Sequence, residues 1–286
     1  SLGNGQLGIG SDCHNCSGYL TPENVTVPND EEPEFVAVGS ETACAIMRSG
    51  RLACWGRNDF GQAGSGEANS GQHCSVACER TPRLLAGLEE VVAVSLGRRH
   101  VCAVNLSGEL FCWGDNTYKQ LAVDSDETPC GQRPCVREPR RVAHFNDVID
   151  VAGGDRHTCA VTRQGSVWCW GNNSEQQLGR DSTTDSLYPV QAYYQGSSWS
   201  GGAQNYSMWG VKKISVGFDH SCAIQSDSRL RCWGSNEYGK CGHGSSSVLS
   251  YGTGEYVKQY FFNSYYDLGS VTDVAVGRDH ACSITK

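Results

Sequence analysis

The sequence predicts an all-β chain, a disulfide-stapled β-propeller of about five repeats. Three observations predict it. A unit of nearly 60 residues recurs along the 286-residue chain, each unit reads as short strands with no helical period, and cysteines recur in pairs ten residues apart.

The repeat is plain in the one-letter text. Val38-Gly39 with Cys44-Ala45 leads to Cys54-Trp55-Gly56 and Asn58. Gly97, His100 and Cys102-Ala103 lead to Cys112-Trp113-Gly114 and Asn116. Gly153-Gly154, His157 and Cys159-Ala160 lead to Cys169-Trp170-Gly171 and Asn173, and Gly217, His220 and Cys222-Ala223 lead to Cys232-Trp233-Gly234 and Asn236. A fifth copy begins at Val276-Gly277 with His280 and Cys282. The Trp positions 55, 113, 170 and 233 are separated by 58, 57 and 63 residues. One propeller domain over 1–286 is expected, with repeats at about 35–90, 91–147, 148–210 and 211–270, and a last one at 271–286 completed by residues 1–12. Runs such as Val91-Val92-Ala93-Val94 and Val148-Ile149-Asp150-Val151 are β-rich and stop before a Gly. No stretch carries a sustained 3.6-residue period with caps, so small sheets in a radial stack suit the pattern.

The cysteine spacing fixes a register. Between Cys44 and Cys54 lies Arg48-Ser49-Gly50, and between Cys102 and Cys112 lies Leu106-Ser107-Gly108. Arg163-Gln164-Gly165 separates Cys159 from Cys169. A three-residue hairpin loop ends at positive φ, which favours Gly. Counting outward from Gly50 sets Met47 against Arg51 and Cys44 against Cys54. Directly opposed residues on antiparallel strands are within disulfide reach. Each such bridge should contribute roughly 2–3 kcal/mol. The fourth pair, Cys222 and Cys232, surrounds Ser226-Asp227-Ser228, where Ser replaces the favoured Gly and a different turn is expected.

The remaining cysteines fall within loops as 13/16, 74/78 and 130/135, leaving Cys241 and Cys282. A Cys-x-x-Cys can be a redox motif or half a zinc site. No second pair at zinc spacing and no helix start accompany these, so loop-closing disulfides are expected, and all 16 cysteines are assigned to bridges. Sixteen cysteines point to an oxidising compartment, hence a secreted or cell-surface protein. Five Asn-x-Ser/Thr sequons, at Asn15, Asn24, Asn105, Asn172 and Asn205, agree with a glycoprotein. The balance of 23 basic against 31 acidic residues gives a net charge of −8, which disfavours nucleic acid and anionic membranes as partners. No apolar run approaches the length of a bilayer span, and the chain begins at Ser1 without a secretory leader, as a processed or truncated chain would.

Gly-x-x-His-x-Cys-Ala followed by Cys-Trp-Gly-x-Asn-x-x-Gly-Gln-x-Gly resembles the regulator-of-chromosome-condensation repeat. Gly61-Gln62-Ala63-Gly64, Gln177-Leu178-Gly179 and Gly239-Lys240-Cys241-Gly242 match its tail, and the resemblance covers nearly all of the chain outside the loops. It implies blades of four antiparallel strands, often seven to a propeller. The nuclear member of that family exchanges nucleotide on a small GTPase and contacts chromatin, a setting that disulfides, sequons and acidity all contradict. A plant ultraviolet photoreceptor of the family uses clustered Trp, whereas one Trp per blade suits core packing. Extracellular members with paired cysteines, among them plant receptor-kinase ectodomains and a bacterial β-lactamase inhibitor, match better.

The ends of the chain read as two parts of one repeat. Gly5-Gln6-Leu7-Gly8 matches the tail, and Val276 to Cys282 matches a start. Aligning Cys282 to Lys286 with Cys44 to Arg48 leaves eight positions, the equivalents of Ser49 to Gly56, without a counterpart. Three explanations stand: an incomplete chain, a blade with fewer strands closed by Cys241 and Cys282, or a strand donated by a neighbouring molecule.

No catalytic or metal residues and no cofactor are assigned. His100, His157, His220 and His280 share one repeat position, where a buried structural hydrogen bond is expected in preference to a metal ring, and no nucleophile elbow or phosphate loop occurs. Two insertions, 187–209 and 248–268, hold half of the aromatics, and ten of the 12 Tyr lie between 188 and 266. Tyr193, Tyr194, Trp199, Tyr206, Tyr256, Tyr260, Tyr265 and Tyr266 are therefore candidate binding residues, with core padding as the competing role. The functional expectation is a secreted, non-catalytic binding or assembly module. Its partner would be a protein, either another copy in a filament or surface structure or a different extracellular protein. A receptor ectodomain or inhibitor fragment and a lectin-like glycan binder are the alternatives.

Overall fold

The computed structural model describes residues 4–10, 23–66, 76–197, 203–241 and 270–286. It is all-β, and the sheets are antiparallel. The chain divides into two compact units, one formed by 1–117 with 123–146 and the other by 118–122 with 147–286.

The first unit contains two four-stranded sheets. One runs β1 (Pro33–Val38), β2 (Thr42–Met47), β3 (Leu52–Arg57), β4 (Cys78–Leu84). The other runs β5 (Val91–Leu96), β6 (His100–Asn105), β7 (Leu110–Asp115), β8 (Cys135–Arg141). In the second unit, β9 (Val148–Gly153), β10 (His157–Thr162), β11 (Val167–Gly171) and β12 (Ser186–Gln191) form a third such sheet. The hairpin β13 (Tyr193–Ser197) and β14 (Ala203–Ser207) follows it. Then come β15 (Val211–Val216), β16 (His220–Gln225) and β17 (Leu230–Gly234), and finally β18 (Val271–Val276) with β19 (Ala281–Thr285). No helix among the described residues is long and apolar enough to cross a membrane.

Each four-stranded sheet grades from a bulged inner strand to an interrupted outer one. In β5, Val91 and Val94 are buried although three positions apart, and Val92 between them is exposed. A period of two would aim the two valines at opposite faces. The register omits Val92, pairing Val91 with Asn105 and Ala93 with Val104, and this bulge turns both valines inward. The same slip follows Val211 and Val271, whose partners Ile214 and Val274 are also buried. The second strands β2, β6, β10 and β16 are almost wholly buried, whereas β19 is largely exposed. The fourth strands carry Pro82, Pro139 and Pro189, and their ladders skip residues, which blunts the outer edge of the sheet against further pairing.

The hairpins between second and third strands set Cys44 against Cys54, Cys102 against Cys112, Cys159 against Cys169 and Cys222 against Cys232. All four pairs are disulfides, with Cα atoms 4.1, 4.2, 4.1 and 4.0 Å apart, and Cys130 and Cys135 form a fifth with Cα atoms 5.8 Å apart. Cys78 is also disulfide-bonded. Cys13, Cys16 and Cys74 lie outside the described residues.

Two sequence expectations are corrected. The fourth hairpin does not adopt a different turn. The Gln225 N–H donates to the Arg229 carbonyl at 2.9 Å, as Met47 donates to Arg51 at 2.8 Å, and Ser228 takes φ +64° where Gly50 has +81°. The hydrogen bonds of the turn hold Ser228 in the left-handed region despite its Cβ. The second correction concerns Cys241 and Cys282, which form no disulfide. Both are free thiols, the first buried and the second exposed. Cys241 occupies the tail position of Ala63, Leu121 and Leu178, an apolar plug, and it packs with Val271 and Val274. Its thiol donates to the Ser235 carbonyl at 3.3 Å, and burial pushes its pKa up to about 12.

Within each unit, successive sheets meet through a repeated contact. β5 packs on β1 and β2, β15 on β9 and β10, and β18 on β15 and β16. The backbones come so close that a Cβ added to Gly154 would stand 2.5 Å from the Gly217 carbonyl oxygen, so only Gly fits. The indole of the repeat locks this contact. Trp55 Nε1 donates to the Gln6 carbonyl at 3.1 Å, Trp113 to Gln62 at 3.1 Å, Trp170 to Gln120 at 2.8 Å and Trp233 to Gln177 at 2.9 Å. The side chain of the same Gln folds back on its own tail. Gln62 Oε1 accepts the Phe60 N–H at 2.8 Å, Gln120 Oε1 that of Tyr118 at 2.8 Å, and Gln177 Oε1 that of Glu175 at 2.9 Å.

Three of the four repeat histidines are members of this packing, and His280, expected to be buried, is not. His100, His157 and His220 are buried, and His157 Nε2 lies 2.9 Å from Ser221 Oγ, which in turn donates to the Gln177 carbonyl at 3.1 Å. His280 is exposed. Burial pulls His100 down from 6.5 to about 4.

Three outcomes follow from this packing. Replacing Cys102 and Cys112 together by Ser should lower the stability read from urea unfolding by about 2–3 kcal/mol. Ser228→Gly should raise the urea midpoint, with a gain of about 0.5–1 kcal/mol from relief of the left-handed strain less the entropy of Gly. Between pH 6.5 and about 4 the unfolded chain takes up a proton that folded His100 refuses. Stability should therefore fall as pH drops through that window, by up to about 3 kcal/mol, and His100→Gln should flatten that part of the pH profile.

Candidate interaction surfaces

The tails after each third strand and the Gly-x-x-His turns before each second strand lie next to one another, and together they present the non-structural side chains of the repeat. In the second unit they build a stack. The Arg156 guanidinium lies 4.6 Å from the ring centre of Tyr118 and 5.8 Å from that of Phe218, and the Arg278 guanidinium lies 5.0 Å from Phe218. Tyr118 belongs to a tail, and Arg156, Phe218 and Arg278 belong to three successive turns. Each guanidinium also has a carboxylate, Asp155 at 3.0 Å from Arg156 and Asp279 at 3.5 Å from Arg278. Alternating cation and ring hold one another in plane and leave donors at the rim, an arrangement suited to recognition. Sequence reasoning missed this stack. The residues vary in type from repeat to repeat, and the only signal was their shared position beside His.

The fourth tail differs from the others. Lys240 replaces the Gln that folds back on its own tail, and its ammonium is almost entirely buried, 2.7 Å from Asp219 and 3.9 Å from Asp279. Those two Asp stand where Arg99 and Arg156 stand in earlier repeats, so a neutral donor beside Arg has been exchanged for a cation beside Asp. Burial opposes the charge on Asp219, but its contacts with His220 and Lys240 outweigh that cost and hold the carboxyl below its ordinary value.

The described part of the Tyr-rich insertions is mixed in character. Tyr193 is tied down, since its hydroxyl oxygen accepts the Asp181 N–H at 2.7 Å and Arg180 lies 5.1 Å from its ring centre. Tyr194 and Tyr206 are partners in the backbone register of β13 and β14. At the root of this hairpin Ala192 and Met208 are fully buried beside Trp233, so the insertion enters the core at its base. Tyr188 and Trp209 are exposed, at 69% and 66%. Trp199, Tyr256, Tyr260, Tyr265 and Tyr266 lie outside the described residues.

The sequons also separate by environment. Asn24 is exposed. Asn105 spans its turn, accepting the Glu109 N–H at 2.8 Å and donating to the Glu109 carboxylate at 2.9 Å. Asn172 donates to Asp185 at 3.0 Å and accepts from Gln177 Nε2 at 2.8 Å. Asn205 lies in β14, and Asn15 is outside the described residues. Among the described residues no three His, Cys, Asp or Glu gather as a metal site.

Known proteins share this arrangement. The sequence profile of the RCC1-like domain matches residues 2–286. The ultraviolet-B receptor UVR8 of Arabidopsis thaliana is 27% identical over 251 residues, which are 85% of this chain and 49% of UVR8. The human E3 ubiquitin-protein ligase HERC2 is 29% identical over 215 residues, 73% of this chain but 4% of HERC2. The chain thus spans about half the length of UVR8 and a small part of HERC2. Among solved structures, human WBSCR16 superposes with a TM-score of 0.76 at 22% identity, covering 100% of this chain and 66% of that one. Yeast RCC1 (Prp20), in its complex with Kap60, gives 0.67 at 19% identity, covering 92% and 56%. The bulged inner strands, the indole clamps and the recurring tails are the blades of a β-propeller, and the chain belongs to the RCC1-like domain family.

Proposed function

We propose that this chain is an extracellular, non-catalytic binding module that engages a protein partner, and that it serves in an assembly such as a filament or surface structure. One observation carries the extracellular setting: every complete inner hairpin is closed by a buried disulfide. Four bridges at one repeat position are maintained only where thiols are oxidised. Protein binding is supported by analogy with yeast RCC1 (Prp20), whose structure was determined with Kap60 bound and whose binding to Gsp1p and histones has been examined. The net charge of −8 turns the reading from nucleic acid toward proteins. The exposed Tyr188 and Trp209 support the insertion 187–209 as part of the working surface.

Expression through a eukaryotic secretory route should deliver the chain to the medium with the four hairpin bridges and Cys130–Cys135 intact in a non-reducing peptide map. Thiol titration of the folded protein that found the eight hairpin sulfurs reduced would remove the extracellular reading. Sedimentation velocity across a concentration series separates the roles. Growth of species with concentration supports assembly, while a constant monomer with saturable binding of one protein ligand transfers the function to a receptor ectodomain or inhibitor. The same secreted material should carry glycan at the exposed Asn24, and Asn24→Gln should remove one glycan mass from the intact protein, whereas Asn105→Gln should leave that mass unchanged.

A further inference from the structure

The second-unit stack neutralises its arginines, but the corresponding place in the first unit does not. Phe60 lies in the tail after β3, its N–H held by Gln62. The Arg99 guanidinium is 5.0 Å from the centre of its ring and that of Arg133 is 5.7 Å away. Arg99 comes from the turn between β5 and β6. Arg133 comes from the loop before β8, at a site that the sequence reading singled out only for its cysteines. The Cys130–Cys135 disulfide pinches this loop. The Cys130 N–H donates to the Arg133 carbonyl at 3.0 Å, and the Arg133 N–H donates to the Cys130 carbonyl at 3.3 Å. Both cysteines pack against the buried Phe60 ring. The bridge that the hairpin pattern does not require therefore fixes an arginine beside another arginine.

Among the described residues, neither Arg99 nor Arg133 has a carboxylate within salt-bridge distance. The nearby acids are otherwise engaged. Glu41 and Asp59 both bind Arg57, Asp59 also accepts from Gln62 Nε2 at 3.0 Å, and buried Asp115 accepts the Thr117 N–H at 2.9 Å. Burial, and after it the positive charges of Arg57, Arg98 and Arg133, pull Arg99 below the usual arginine value, with Asp115 opposing. In a chain of net charge −8, a covalently stapled loop holds cations against mutual repulsion.

We propose that Arg99 and Arg133 around Phe60 form a binding site for the carboxylates of a short acidic segment of a partner protein. Guanidinium forks fixed on one ring offer paired donors to a carboxylate, and its charge relieves the repulsion between them. The site is a point flanked by Glu41 and Asp59. That geometry favours a few side-chain carboxylates over a long sulfated polysaccharide, which would need a basic track and would meet those acids. The proposal goes beyond the preceding reading and uses no residue of the Tyr-rich insertions, so it stands or falls separately from them.

The test uses the full oxidised chain and a fluorescein-labelled Glu/Asp octapeptide, read by fluorescence anisotropy at low and high salt. Saturable binding that weakens with salt is expected, with Arg133→Gln and Arg99→Gln each reducing affinity about tenfold or more. Arg163→Gln, on an exposed turn of the second unit, should change it less than about twofold on the same basis. Arg133 sits on an exposed loop, so its variant decides the matter if the Arg99 variant fails to fold in a thermal melt. Absence of saturable binding, equal losses in all the folded variants, or preferential capture of a heparin-derived hexasaccharide would each overturn the proposal.

Discussion

The hydrogen bond from each repeat's indole to the backbone carbonyl of the preceding tail is the constraint on which the rest depends. It sets a Trp from one sheet against a Gln, or the N-terminal Gln6, from the repeat before. A buried indole N–H without a partner is costly, so the carbonyl must arrive at the right place. The tail can deliver it only because the Gln side chain, and the Asn five residues before the plug, hold the tail backbone in a tight turn: Asn58 Oδ1 accepts the Ala63 N–H at 2.9 Å and Asn173 Oδ1 the Leu178 N–H at 3.0 Å. The apolar plug then seats beside the next Trp. Disulfide, clamp and plug thus serve one end, which is to make each small sheet rigid enough to meet its neighbour at backbone distance.

Local features were legible in the sequence and contacts between repeats were not. Cys44 opposite Cys54 could be read because a three-residue loop leaves one register, and strand counts within hairpins follow from the same arithmetic. The bulge after Val91 could not be read. It exists because Val91 and Val94 must both reach the adjoining sheet, and a period-of-two reading places them on opposite faces. Ser228 misled for a related reason. Its residue type argues for another turn, but the flanking ladder fixes the backbone and the Ser accepts the strain. Cys241 misled by its chemistry, since a cysteine left over beside Cys282 invites pairing while the tail position asks only for an apolar side chain.

The candidate surfaces divide in the same way. Tyr-rich insertions announce themselves by composition, and their position along the chain was evident. The arginine and aromatic contacts did not, because Tyr118, Arg156, Phe218 and Arg278 lie 38, 62 and 60 residues apart along the chain and only the blade packing brings them together. Lys240 shows how far such positions can drift while the scaffold persists. A buried ammonium replaces a carboxamide, and the charge of the facing turn reverses with it.

One further property follows from the arrangement of tail and outer strand. The indole clamps, the Gln side chains that fold back and the close Gly contacts that lock one sheet to the next lie between the first strand of a repeat and the small residue or Gly that closes its tail. Among the described residues the stretch from there to the fourth strand carries fewer such contacts, Cys130 on Phe60 being one, and it is here that 65–77, 123–134 and 180–185 differ most in length and content. Such a layout uncouples inheritance of shape from inheritance of specificity. Foreign peptides grafted into that stretch would be displayed on a frame whose integrity they do not enter, which makes the chain a ready chassis for engineered recognition.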